Sequence, residues 1–228
     1  STSTPITKGV LDELWAFAPT DILPYIYRYT DSTNKKHRFA VDGAPTVYLL
    51  DRPQTTGQST GDGKFTISAT NSERAIVIFG LGKGGRSYYA IDVANPMVPT
   101  LKWSLCPDES HNYPTARILT GDATTVQSRI ASMGLSTCIP TIARVVTARI
   151  NVLKPNLLVD AVLLGGGYSD SNIEAALPGT PAGPAKSTAL GRSALAIEVN
   201  SGNIIGSWSL DSSAGSVPTR SGSRRRHN

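Results

Sequence analysis

Apolar positions recur along this chain in short runs punctuated by Gly, Pro, Asn and Asp, and the runs fall into two similar sets. In the first, Ala75–Phe79 is a continuous β-branched run of the kind a strand buried on both faces requires. Gly80, Gly82, Gly84 and Gly85 follow and allow a tight turn. Ser87–Val93 then reads as a second strand ending at an Asn95–Pro96 turn, and a third closes at Trp103 and Leu105. The second set repeats this order: AVLLGGG, then GRSALAIEV answering GRSYYAIDV, then IIGSWSL answering TLKWSL. Upstream, Ala44–Val47 parallels Ile139–Ile142 and supplies a fourth strand to each set. The pattern predicts strands over 44–51, 75–80, 87–93 and 100–105, then 139–147, 158–165, 191–199 and 204–210.

Two four-stranded antiparallel copies, at about 39–105 and 139–210, predict an all-β chain built as a partial β-propeller with quinoprotein-like blades. Propellers have about four to eight blades, so two copies do not close a ring and their open faces need further blades or a partner. Glu13–Phe17 carries the Trp-x-apolar pattern of the closing strands, so Trp15, Trp103 and Trp208 are read as equivalent; an amphipathic helix on Leu11, Leu14, Trp15 and Ala18 is the other reading. A short helix is predicted after Asp21, with Asp21 as its cap and Pro24 in its first turn. KFTISA at 64–69 reads as an added hairpin, and 126–134 has some helical spacing. Residues 1–9 are expected to be a flexible lead-in, 10–211 the propeller segment and 212–228 a disordered basic tail. The Ser/Thr-rich opening without Met is read as a processed or excised chain.

Charge changes the picture only until it is located. The net charge is +5, but Arg220, Arg224, Arg225 and Arg226 lie in an acid-free tail, so residues 1–219 carry +1. A nucleic-acid surface is therefore not indicated. No apolar run is long enough for a membrane-spanning helix. Cys106 and Cys138 bracket the segment between the copies, as a loop-closing disulfide would need; two separate thiols are the alternative.

Candidate chemistry is sparse. Gly80-Leu81-Gly82-Lys83-Gly84-Gly85 fits a dinucleotide fingerprint in letters, but the strand pattern SYYAIDV stands where a helix must open, so it is read as a turn. Lys83 lacks the Ser or Thr of a phosphate loop, and Ser87 and Ser193 lack the glycine frame of an elbow nucleophile. His37, His111 and His227 have no metal spacing. Arg86 and Arg192 recur at one position of both copies, which favours a structural ion pair or carbonyl contact. Asp170, Asn172 and Glu174 alternate as calcium ligands do, and Asp62 sits in a Gly-flanked turn, although neither makes the twelve-residue loop; calcium is the one candidate cofactor.

ELWAFAP with the ILPYI helix, HRFAVDGAPTV, IVIFGLGKGGRSYYAIDVANP and GRSALAIEV with SGNIIGSWSL together resemble the PilY family of type IV pilus tip and biogenesis proteins, over about residues 12–210. The resemblance implies a modified β-propeller at the C-terminal end of a larger secreted protein. It also implies a place at the bacterial cell surface or pilus tip and roles in pilus extension and attachment. No segment matches the family's calcium loop. The expected partners are minor pilins or other tip proteins, with missing propeller blades of the same parent protein. A quinoprotein-like dehydrogenase and a generic protein-binding propeller are the alternatives to a non-enzymatic surface protein. Alternation of strand direction puts the insertions 106–138 and 166–190 at one end of the blades, with Tyr113 and Tyr168 as contact candidates.

Overall fold

The computed structural model describes residues 13–30, 33, 39–51, 63, 73–107, 123–146, 158–169 and 190–209. Among the described residues, eight strands form two separate four-stranded sheets, each a simple antiparallel meander. Sheet one holds β1 (Thr46–Leu50), β2 (Arg74–Gly80), β3 (Tyr88–Asp92) and β4 (Thr100–Leu105). Sheet two holds β5 (Thr141–Val146), β6 (Leu158–Gly165), β7 (Ser193–Glu198) and β8 (Ile204–Ser209). Each strand begins and ends within two residues of the bounds read from the apolar runs. The sheets are not closed into a ring; they are a partial propeller of two blades. The expected lead-in, the 64–69 hairpin and the basic tail lie outside the described residues.

Side chains alternate across a strand, so the pairing assigns each residue to a face. Ile76, Ile78, Tyr88, Ala90, Trp103 and Leu105 point from sheet one into a core shared with Val162, Leu164, Leu195, Ile197 and Ile204 of sheet two. The sequence mates of Tyr88 and Ala90 are Ala194 and Ala196, which alternate away from that core, whereas Leu195 and Ile197 enter it. Equivalent faces therefore do not meet. One face of copy one lies on the opposite face of copy two, as in successive blades and not as in a sandwich related by a two-fold axis.

Three polar contacts fix this stacking. The indole N–H of Trp103 donates to the Val199 carbonyl at 2.8 Å. The Tyr48 hydroxyl donates to Asp160 at 2.6 Å, and the Thr46 hydroxyl to the Pro140 carbonyl at 2.7 Å. Arg144 also binds Asp160, at 2.8 Å. That guanidinium holds the Asp160 carboxyl below its usual range, against the opposing effect of partial burial.

Helix α1 (Ala123–Ala131) inserts Val126 and Ile130 into the shared core, with Met133 just beyond its end. The helix starts three residues before the expected 126–134 span. On the outer side of sheet one, Ile22, Leu81 and Tyr89 make a second core with Phe17, Ala40 and Phe79 around it. Phe17 meets Phe79 and Tyr89 edge-on, at centroid separations of 6.1 and 5.5 Å.

Four readings of the sequence need correction. Residues 13–18 have no strand, so Trp15 is not in a closing strand; Phe17 is partly buried there, against Tyr89. The helix after Asp21 is a 3-10 helix, Leu23–Tyr29, whose N-cap position is Ile22. Asp21 does not cap it, and its carboxylate instead accepts the hydroxyls of Ser87, at 2.9 Å, and Tyr89. Trp208 is not on the rung of Trp103: Trp103 pairs with Ala90, but the mate Ala196 pairs with Gly206, and Trp208 falls opposite Ala194. Lastly, Cys106 and Cys138 are not joined in a disulfide. Cys106 follows the inward Leu105 and so turns to the outer side with Tyr89. The Cys138 thiol instead lies against the Gly165 amide, at 3.3 Å, beside Tyr88 on the inner side.

Candidate functional site

The glycine-rich turns of both copies converge at one end of the stacked sheets. In copy one the chain leaves β2 through Leu81 and a single 3-10 turn, Gly82–Gly84, before β3 opens. No α-helix starts at the glycines, so the fingerprint-like letters form a turn between two strands. Lys83 sits over the Phe39 ring, 5.0 Å from its centroid.

The segment after α1 joins the two turn clusters. The buried Ser136 hydroxyl donates to the Gly85 carbonyl at 2.9 Å and accepts the Leu81 amide at 2.8 Å. Gly134 donates its amide to Gly166 at 2.7 Å, and Leu135 and Tyr168 form an isolated antiparallel bridge. Gly191 donates to the Ser132 carbonyl at 2.8 Å. Glycine is required at Gly167, where φ is +79° and a Cβ would lie 1.8 Å from the Leu135 carbonyl oxygen.

Arg86 completes the junction. Its guanidinium donates to the carbonyls of Ala131, at 2.8 Å, and Met133, at 2.9 Å from Nε, where the helix leaves acceptors unfilled. Arg192, its repeat mate, is exposed and also has a bonded or electrostatic contact. Tyr88 and Tyr89 stand on opposite faces of β3 beneath this end, and burial pushes both phenols up, the Asp21 bond adding to the effect at Tyr89. Both therefore remain protonated hydrogen-bond donors, Tyr88 to the Cys138 carbonyl and Tyr89 to Asp21.

The insertions between and within the copies thus enter and leave the sheets at this one end. Their described stems, 132–138 and 165–169 with 190–191, are hydrogen-bonded to each other. Tyr168 is 55% exposed on that stem. Tyr113 and the proposed ligands Asp170, Asn172, Glu174 and Asp62 lie outside the described residues, as do His37, His111 and His227. Among the described residues no group of three or more His, Cys, Asp or Glu could hold a metal ion, and no helix is long and apolar enough to cross a membrane. The buried serine clamp at Ser136 was not singled out from the sequence, because its partners are main-chain groups 51 and 55 residues away. The arrangement holds the described stems of the two insertions side by side.

No family model and no curated protein matches the chain. Among solved structures, the crystal structure of the Pseudomonas aeruginosa PilY1 C-terminal domain is similar to it, with 20% sequence identity and a TM-score of 0.44. The match covers 90% of this chain and 27% of that one, so this chain spans little more than a quarter of its length. The family of that domain is the one that the motifs resemble.

Proposed function

We propose that this chain is a non-enzymatic propeller segment of a type IV pilus tip or biogenesis factor, acting at the bacterial surface in pilus assembly and attachment. The observation that carries the reading is the pairing of the two insertion stems at one end of two rigidly stacked blades. Recognition usually resides in loops held together on such a scaffold. The motif combination from ELWAFAP to SGNIIGSWSL supplies the link to the pilus. Minor pilins or other tip proteins are the expected partners, and the loop end is the surface expected to meet them.

The test is to follow the protein, tagged and at its native level, in filaments sheared from the cell surface. Enrichment with the filaments, lost when residues 170–188 are deleted while the protein stays folded, is the expected result. Absence from the filament fraction, or full pilus-linked function without 170–188, would overturn the proposal.

A further inference from the structure

The segment that covers sheet one has an outer side of its own. In the 3-10 helix Leu23–Tyr29 three residues make one turn, so positions three apart stack in stripes. The stripe turned to the protein holds Ile22, at the N-cap and buried in the second core, and the half-buried Tyr25. The next stripe is Leu23, Ile26 and Tyr29, which are 48%, 52% and 46% exposed. Pro24 and Tyr27, on the third, are exposed as well. Seating Ile22 in the core therefore turns a row of apolar side chains to solvent.

The ridge continues past the helix. The Tyr29 hydroxyl donates to the Phe39 carbonyl at 3.1 Å, which brings residues 29 and 39 together. Phe39 and Val41 flank the inward Ala40 and are both exposed. Exposed Lys83, over the Phe39 ring, ends the ridge with a positive charge. Net charge follows the same stretch of sequence. Residues 22–41 hold Arg28, Lys35, Lys36 and Arg38 against Asp31 and so carry +3, whereas residues 1–219 carry +1, which leaves −2 for the rest of that span. The segment that exposes the apolar ridge is thus also the one that makes the body of the chain positive.

We infer that this ridge docks on the surface of a bilayer containing anionic lipid, with Leu23 and Ile26 entering the acyl boundary and Tyr27, Tyr29 and Phe39 at headgroup depth. Aliphatic burial supplies affinity, aromatic side chains favour the interface, and the positive segment is drawn to the lipid phosphates. A protein groove would take the apolar stripe but has no need of the charge gathered around it; an anionic bilayer uses both. The helix does not have to fold on contact, because Ile22, Phe17 and the bonds of Asp21 to Ser87 and Tyr89 already hold it on sheet one. The inference is independent of the pilus reading.

Co-sedimentation of the complete chain with phosphatidylcholine vesicles, with and without phosphatidylglycerol, tests it. Binding is expected to the anionic vesicles, to fall as salt rises, and to be much weaker on the neutral ones. The double variant Leu23→Asp, Ile26→Asp should bind about tenfold more weakly or less, and Lys83→Glu should weaken binding to the anionic vesicles, with circular dichroism confirming that both are folded. Because Arg220, Arg224, Arg225 and Arg226 attract the same lipids, a chain with these four changed to glutamine is measured beside them and should keep binding that depends on Leu23 and Ile26. No binding to anionic vesicles, equal binding to both kinds, indifference to the double variant, or complete loss with the tail arginines alone would overturn the inference. So would self-association that the double variant abolishes in a chain that ignores lipid, which would make a second copy the occupant.

Discussion

The Trp103 indole donates its N–H to the Val199 carbonyl 2.8 Å away, across the boundary between the two sheets. Trp103 is buried, and the next sheet approaches it so closely that a side chain at Gly202 would strike its Cβ at 2.6 Å. One residue therefore joins both copies through ring packing and a directional bond. Trp103→Ala is expected to destabilise by about 3–5 kcal/mol. Trp103→Phe, which keeps a ring but leaves the carbonyl without its donor, should cost about 1–3 kcal/mol. Urea unfolding checks both, with Trp208→Ala in dilute solution as the milder control.

Arg86 ties sheet one to the end of α1 through the main-chain carbonyls of Ala131 and Met133. Arg86→Ala should cost about 1–3 kcal/mol, because the carbonyl of buried Met133 loses a charged donor. Arg86→Lys should rescue only part of that, since an ammonium cannot present the guanidinium's fork to two carbonyls. Hydrogen exchange of the 132–136 amides should rise in both variants, more in the alanine.

The strands were legible in the sequence because their burial alternates with period two or runs unbroken, and the glycine and Asn-Pro turns mark their ends. Register was not legible. Both copies shift register at the same place, between Ala90 and Ile91 and between Ala196 and Ile197. The shared letters Trp-Ser-Leu align Trp103 with Trp208, yet copy two has Gly206 on the Trp103 rung. Asp21 misled for a related reason. Local spacing suggests a cap, but its carboxylate is used by Ser87 and Tyr89, 66 and 68 residues away. The loop end of the candidate site followed from counting strand directions, whereas Ser136 depends on a tertiary approach that no local pattern encodes.

Asp160 makes stability depend on pH. Its hydrogen bond to Arg144, reinforced by the Tyr48 hydroxyl, lowers its pKa in the folded chain despite the contrary effect of burial. A carboxylate depressed on folding contributes stability above its unfolded value, about 3.9, and loses it as pH falls through the folded value. Asp160→Asn should therefore be less stable than the parent at neutral pH, and the gap should close in acid below about pH 4. Chemical unfolding across that range measures it; a gap that widened in acid would contradict the sign.

Cys106 and Cys138 stand on opposite sides of sheet one and are not joined in a disulfide. Two thiols should titrate in the unfolded protein without prior reduction, and reductant should leave the unfolding midpoint unchanged. A disulfide closing that loop would instead make reduction cost about 3–4 kcal/mol.

The stacking of the two copies is tested most directly by nuclear Overhauser effects from the Trp103 indole proton. Cross-peaks to Val199 and Gly202, with slow exchange of that proton and fast exchange of the Trp208 indole in dilute solution, are expected from successive blades. A Trp103 indole that exchanges freely and shows no cross-peak into residues 199–202 would contradict the stacking, and with it the shared platform for the loops.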